Sequence, residues 1–167
     1  FQVGEDRGVA FLAMPLLKGV SLAEALRANP QVPLPSAVRI AREVAEGLSA
    51  AHDKGLIHRD IKPGNIWLEG AKRRVKILDF GLARPATGEF DASLADAVTR
   101  QGAIVGTPAY MSPEQARGES LDARSDLFSL GTVLYQLLAG KQPFRAPNAT
   151  GVLIAVATDH PATPSEV

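Results

Sequence analysis

His58-Arg59-Asp60-Ile61-Lys62-Pro63-Gly64-Asn65 stands between two short apolar runs, Leu56-Ile57 and Ile66-Trp67-Leu68, and Asp79-Phe80-Gly81 follows a third, Val75 to Leu78. Such runs bounded by turn-forming residues predict small strands around a loop, with Glu69 to Arg74 as the polar connector between the last two. Asp60, Asn65 and Asp79 therefore converge on strand ends. Before this stretch, Ser36 is placed to cap a helix whose apolar face is Val38, Ala41, Val44, Ala45, Leu48 and Ala51. Arg39, Arg42, Glu43 and Glu46 turn to water, and Gly55 is the stop. Ser21 and Glu24 have capping-box spacing, so a helix is expected over about Leu22 to Ala28, closed by the crowding of Pro30, Pro33 and Pro35. Val9 to Met14 reads as a strand buried on both faces, with Gly4 to Gly8 as a hairpin turn before it and Pro15 and Gly19 ending it. On the other side, Gly81 to Ser112 lacks periodicity and predicts a long functional loop. Asp126 to Ala139 predicts a central buried helix closed by Gly140, and Gly151 to Thr158 a last one. The pattern is α+β, mainly helical, with small β hairpins.

The 167 residues, 46% apolar, suffice for one core. Lys plus Arg and Asp plus Glu are both 18, so no basic excess points to nucleic acid or an anionic membrane surface. Without cysteine there is neither a disulfide framework nor a thiolate metal site. The longest apolar stretches, Ala10 to Leu17 and Val152 to Ala157, fall far short of the roughly 18 residues of a membrane span. Phe1 reads as a cut in a longer chain, and no signal peptide is visible.

Moving a phosphoryl group from a nucleotide requires a carboxylate to position the attacking hydroxyl, oxygen ligands for Mg²⁺ and a cation near the moving phosphate. Asp60, the pair Asn65 and Asp79, and Lys62 meet those needs in that order. Mg²⁺ is a hard ion, so carboxylate and amide oxygens are the right ligand types.

Taken together, His58 to Asn65, Asp79-Phe80-Gly81 and Ser112-Pro113-Glu114 resemble the catalytic-loop, metal-binding and activation-segment-end motifs of the protein kinase family. The resemblance covers nearly the whole chain and is strongest from Val9 to Phe144. It implies a kinase-like C-terminal lobe: about 1–14 as the last strands of a mostly missing N-terminal lobe, 15–20 as the linker, and 21–167 as an incomplete large lobe. Lys62, two positions after Asp60, is similar to the serine/threonine kinases of bacterial, eukaryotic-like type, so the expected acceptor is a Ser or Thr hydroxyl of a protein. ATP with Mg²⁺ or Mn²⁺ and a cytoplasmic setting are implied with it.

The same resemblance assigns roles residue by residue. Met14, Pro15, Leu17 and Ser21 fall along the adenine-binding linker, where Pro15 keeps its carbonyl and lacks only its amide. Trp67 reads either as the floor under adenine or as plain core. Thr107 and Tyr110 fall on the substrate-docking side. His58 is expected to pack on Phe80, Asp126 to receive backbone amides of the catalytic loop, and Glu114 to lack the later arginine with which relatives pair it. Gly81 completes the metal-binding motif, and His52 and His160 read as surface histidines. Arg59 is the expected receiver of an activation-segment phosphate, with Thr99 as the first candidate, Ser93 next, and Thr87 behind them.

A glycine-rich loop over the phosphates and a strand lysine are absent ahead of the linker, so this stretch is expected to be inactive alone. Two other readings compete: a pseudokinase that binds nucleotide or partners, and a small-molecule phosphotransferase. The four residues Asp60, Lys62, Asn65 and Asp79 disfavour the first. Arg59, Phe80-Gly81 and Ser112-Pro113-Glu114 disfavour the second.

Overall fold

The computed structural model describes residues 2–80 and 108–167. Strands β1 (Gln2–Asp6) and β2 (Val9–Ala13) pair antiparallel, with Gln2 opposite Ala13 and Asp6 opposite Val9. The turn between them is Arg7-Gly8, both at positive φ (50° and 79°), the geometry that lets a two-residue loop follow the strand twist. The strand expected from Val9 is present, but it is not buried on both faces. Val9 and Phe11 are exposed, because this two-stranded ribbon has no packed layer on it among the described residues.

A second sheet has the order β3 (Gly19–Ser21), β4 (Ile66–Glu69), β5 (Arg74–Ile77), all antiparallel, with Ser21 opposite Trp67 and Trp67 opposite Lys76. Alternation along β4 sends Ile66 and Leu68 into the core and leaves Trp67 and Glu69 on the other face. Leu56-Ile57 joins no strand, and β3 forms where the sequence suggested only a strand end. At Gly19 (φ 147°) a Cβ would lie 2.1 Å from the Leu68 carbonyl oxygen, so the close approach of β3 to β4 requires glycine there.

Helix α1 (Leu22–Ala28) starts on the Ser21–Glu24 capping box and ends where the sequence placed it. Helix α2 (Leu34–His52) starts earlier than expected: Pro33 is the N-cap and Ser36 lies inside the first turn, because Pro35 suits a first-turn position that needs no amide. Its buried stripe is Ala37, Ile40, Val44, Leu48 and Ala51: Val44, Leu48 and Ala51 are as expected, Ala41 and Ala45 are half-buried beside them, and Val38 is instead exposed. Glu43 is not simply turned to water. It accepts the Val75 amide of β5 at 2.8 Å and pairs with Arg39 at 2.8 Å, which fastens the sheet to α2.

Helix α3 (Pro113–Arg117) is a short helix on a Ser112–Gln115 capping box. Helix α4 (Ala123–Ala139) begins three residues before the expected Asp126 and is closed by Gly140 in the left-handed conformation (φ 70°). Helix α5 (Ala149–Thr158) is the last. The main core joins α1, α2, β4 and α4 through Leu22, Val44, Leu48, Ile66, Val133 and Leu137, each of which is almost fully buried. Truncating one such leucine to alanine typically costs about 2–5 kcal/mol. A smaller cluster, Phe144, Ala155 and Val156, is extended by Phe128 stacked on Phe144.

The Val75 amide, opposed by partial burial and helped by Arg39, holds the Glu43 carboxyl below its ordinary value of 4.5. A depressed carboxyl stabilises the fold above the unfolded-state value and loses that contribution as pH falls through the folded-state value. Glu43→Gln is therefore expected to be less stable than wild type at pH 7, with the difference shrinking as pH drops below about 4.5. Urea midpoints of the two proteins measured from pH 7 to pH 3 check this.

Candidate active site

The loop between α2 and β4 is held from below by one buried acid. Asp126, in the first turn of α4, is 1% exposed, and its two carboxylate oxygens accept the backbone amides of His58 and Arg59, each at 2.8 Å. A buried carboxylate is tolerated only when its lone pairs are occupied. A third donor completes the set: His52 Nε2 lies 2.8 Å from Asp126 Oδ2. His52 is thus not the surface histidine expected from sequence. It ends α2 and helps anchor the loop, a role that spacing alone does not announce, since 74 residues separate the pair.

His58 is wholly buried, and its ring packs edge-on against Phe80 with centroids 4.7 Å apart. Its Nε2 meets the Leu78 carbonyl at 2.8 Å and its Nδ1 the Asp60 amide at 3.2 Å. A carbonyl only accepts and an amide only donates, so the ring carries its hydrogen on Nε2. His58 is thereby a cross-brace between the loop and the end of β5, with neither nitrogen open to a reacting group.

Above this brace, Asp60 is the exposed acid, with its side chain 52% accessible. Lys62 Nζ lies 2.7 Å from Asp60 Oδ2, and Asn65 Nδ2 donates to Asp60 Oδ2 at 2.9 Å and to the Asp60 carbonyl at 2.8 Å. Asn65 ends the 3₁₀ turn Pro63–Asn65, and its carbonyl receives the Leu78 amide at 2.9 Å. The chain is thereby tied to the residue just before Asp79, which is exposed and has left-handed backbone (φ 58°). Because the Asn65 amide nitrogen faces Asp60, its oxygen is the atom left for a cation. That oxygen and the Asp79 carboxylate are hard oxygen donors, the type Mg²⁺ takes together with water and phosphate. Among the described residues no cluster of three or more His, Asp or Glu forms a metal cage.

The nucleotide side is less regular. Met14 to Lys18 form neither helix nor strand, and Met14 and Leu16 are exposed while Leu17 is half-buried. Trp67 lies outside both core clusters, on the outer face of β4, with its indole nitrogen 3.0 Å from where a Gly19 Cβ would stand. That nitrogen is buried and has no hydrogen-bond partner, an open donor that fits a ligand laid on the same face. Ser21 requires a correction. Its hydroxyl donates to Glu24 Oε2 at 2.8 Å and accepts the Glu24 amide at 3.2 Å, so the helix cap occupies it and it is not placed to bind nucleotide.

Tyr110 is also revised. It is 9% exposed, its hydroxyl donates to Gln136 at 2.6 Å and receives Gln142 at 3.1 Å, and its carbonyl accepts the Ser129 hydroxyl at 2.7 Å. Burial pushes the phenol up, against those two glutamine contacts. Tyr110 anchors residues 108–112 to α4 and presents no free hydroxyl to a substrate. Glu114 finds Ser125 as its donor. Burial raises its carboxyl, but hydrogen bonds from Ser125, its own amide and Ser112 outweigh that and hold it below the ordinary value. Gly81, Thr87, Ser93, Thr99 and Thr107 lie outside the described residues, while Arg59, half-buried, is within them.

The sequence has counterparts among known proteins. Residues 1–163 match the family described as "Protein kinase domain". The chain is 42% identical over 99% of its length to "Serine/threonine-protein kinase pkn3" of Myxococcus xanthus, covering 30% of that protein. It is 44% identical over 86% of its length to "Serine/threonine-protein kinase pkn2" of the same organism, covering 17% of it. To "Serine/threonine-protein kinase PknB" of Mycobacterium leprae it is 38% identical over 93% of its length, covering 24%. The chain thus spans less than a third of each of these relatives. A buried aspartate holding a loop with an exposed acid, a neighbouring lysine and an asparagine, on a chain matched to one family over 163 residues, establishes that this protein belongs to the protein kinase family.

Proposed function

We propose that the protein containing this chain transfers the γ-phosphoryl group of ATP to Ser or Thr hydroxyls of other proteins, with Asp60 as the residue that orients the acceptor. The observation that carries the reading is the Asp60 carboxylate, exposed yet held by Lys62 at 2.7 Å and Asn65 at 2.9 Å. An exposed ion pair is worth little for stability, so this one is better accounted for by chemistry than by folding. The oxygen of Asp60 can accept the proton of an incoming hydroxyl as that hydroxyl bonds to the γ-phosphorus and the bond from that phosphorus to the β–γ bridging oxygen breaks, ADP leaving with the electron pair. Lys62 places positive charge beside the same oxygen, where the transferred group passes.

Asn65 and Asp79 are the residues assigned to Mg²⁺, with Mn²⁺ as a similar hard ion. When bound, the metal supplies charge neutralisation on the phosphates. Backbone groups of Met14, Pro15 and Leu17 are assigned to adenine, with Trp67 beneath it. In this reading residues 1–14 close the small lobe, 15–20 link the lobes and 21–167 belong to the large lobe. A domain that draws on ATP works in the cytoplasm. No helix among the described residues is long and apolar enough to cross a membrane. The names of the relatives support Ser/Thr acceptors over Tyr. The presence of Asp60, Lys62, Asn65 and Asp79 together supports an enzyme over a binding module.

In the full-length protein, Asp79→Asn is expected to remove Mg²⁺-dependent phosphorylation of a generic basic protein while the unfolding midpoint stays near wild type. A near-normal rate at limiting Mg²⁺ would show that Asp79 is no ligand. A polypeptide restricted to these 167 residues carries no glycine-rich loop or strand lysine to grip the phosphates and is expected to give only trace incorporation from radiolabelled ATP. Robust turnover by that polypeptide, abolished by Asp60→Asn, would refute the assignment of those duties to residues outside it. Regulation is read from Arg59, which directly precedes Asp60 and whose planar fork suits a phosphate. Thr99 is the proposed phosphorylation site, with Ser93 next. Mass-spectrometric mapping of the full-length protein is expected to find phospho-Thr99, and Thr99→Ala and Arg59→Ala are each expected to slow it. An unmodified Thr99 whose alanine variant keeps full rate would end the regulatory assignment.

A further inference from the structure

Arg59 is one of four non-glycine residues at positive φ among the described residues, at 67°. An L-residue keeps that conformation only where its surroundings over-determine it. The Arg59 amide donates to Asp126 Oδ1 at 2.8 Å. The next peptide plane, which joins Arg59 to Asp60, is gripped on both edges: its N–H donates to His58 Nδ1 at 3.2 Å, and its carbonyl accepts Gln115 Nε2 at 2.7 Å. Gln115 was not singled out by any motif.

Gln115 is the third residue of α3, where its Oε1 accepts the Ser112 amide at 2.9 Å and its own amide donates to Ser112 Oγ at 3.3 Å. The carboxamide orientation is fixed from both sides, because the Ser112 N–H can only donate and the Arg59 carbonyl can only accept. One side chain therefore does two separable things. As a cap it needs only an acceptor, and glutamate serves a capping box as well as glutamine. As a clamp on the Arg59 carbonyl it needs a donor, which glutamate at neutral pH lacks.

We propose that Gln115 is a positioning residue for phosphoryl transfer: by holding the Arg59–Asp60 peptide plane it sets the direction in which the Asp60 carboxylate leaves the loop, and it couples that direction to the seating of helix α3. The proposal rests on the assignment of Asp60 as the acceptor-orienting residue. A small misplacement of such a group is costly to rate, about a hundredfold for an ångström. The adenine side of the site lies elsewhere and is untouched by this contact.

The test compares wild type, Gln115→Glu and Asp60→Asn in the full-length protein, measuring kcat, KM for ATP and the thermal unfolding midpoint. Gln115→Glu keeps the cap, so its midpoint is expected to stay near that of wild type. Its kcat is expected to fall by about ten- to a hundredfold at unchanged KM for ATP. Wild-type kcat at an unchanged midpoint overturns the proposal. So does an equal loss in kcat/KM for ATP that comes wholly from KM. If Gln115→Glu does not fold, Gln115→Met, which keeps the length and drops the donor without setting a charge against the carbonyl, is read by the same criteria per folded molecule. Wild-type protein that is inactive and indistinguishable from Asp60→Asn would overturn the proposed function and this inference together. An active wild type with an unaffected Gln115→Glu overturns only the role of Gln115.

Discussion

The carboxylate of Asp126 is the constraint around which the rest is arranged. It is 1% exposed and takes three donors, the amides of His58 and Arg59 and the ring of His52. Removing its partners would leave a charge in the interior, which costs several kcal/mol, so the loop must stay where the acid is. The acid in turn stays because it sits in the first turn of α4, where free amides and the helix dipole favour negative charge, and because α4 is locked into the core by Leu130, Val133 and Leu137. Hydrophobic burial thus fixes a helix, the helix fixes a charge, and the charge fixes a loop. Asp60 is the only member of that chain of dependence that faces water.

The same helix also holds the other half of the site. Ser129 donates to the Tyr110 carbonyl, Gln136 accepts the Tyr110 hydroxyl, and Ser125 donates to the Glu114 carboxylate. Residues 108–117 and the 58–65 loop therefore share one support. They also meet directly where Gln115 Nε2 donates to the Arg59 carbonyl at 2.7 Å. Two elements mounted on one rigid helix keep their spacing far better than two loops mounted on each other.

Local chemistry was legible in the sequence, and packing was not. The Ser21–Glu24 box and the Gly140 stop were readable because each is settled by a few neighbouring residues, whereas the turn expected over Gly4 to Gly8 narrows to Arg7-Gly8, with Gly4 to Asp6 in β1. The start of α2 was misread at Ser36 because a proline in the first turn competes with a capping hydroxyl for the same duty. The face of α2 was legible from Ala41 to Ala51 but not at its start, where Val38 is apolar yet exposed and Ala37 and Ile40 are buried, because the arrangement of α4 and the sheet decides where the inward side begins. His52 and Gln115 escaped notice for a related reason, since their partners lie 74 and 56 residues away and a lone His or Gln is chemically ambiguous. For the candidate site, the acids, lysine and asparagine were visible as types. The left-handed backbone that aims them was invisible.

That backbone is strained at two points. Arg59 (φ 67°) and Asp79 (φ 58°) are both non-glycine residues in a region costing on the order of 1–3 kcal/mol. Glycine would relieve the strain at either position, yet would loosen the segment through added freedom in the unfolded chain. Each strained residue is instead bracketed by hydrogen bonds to its neighbours: His58 and Asp60 amides around Arg59, and the Leu78 amide and carbonyl ahead of Asp79. The two brackets meet in one side chain, because the His58 ring receives the Asp60 amide on one nitrogen and holds the Leu78 carbonyl with the other. A substitution at His58 would therefore loosen both bends at once, leaving the first to Asp126 and Gln115 and the second to the Asn65 carbonyl, so the orientations of Asp60 and Asp79 are coupled through one buried imidazole.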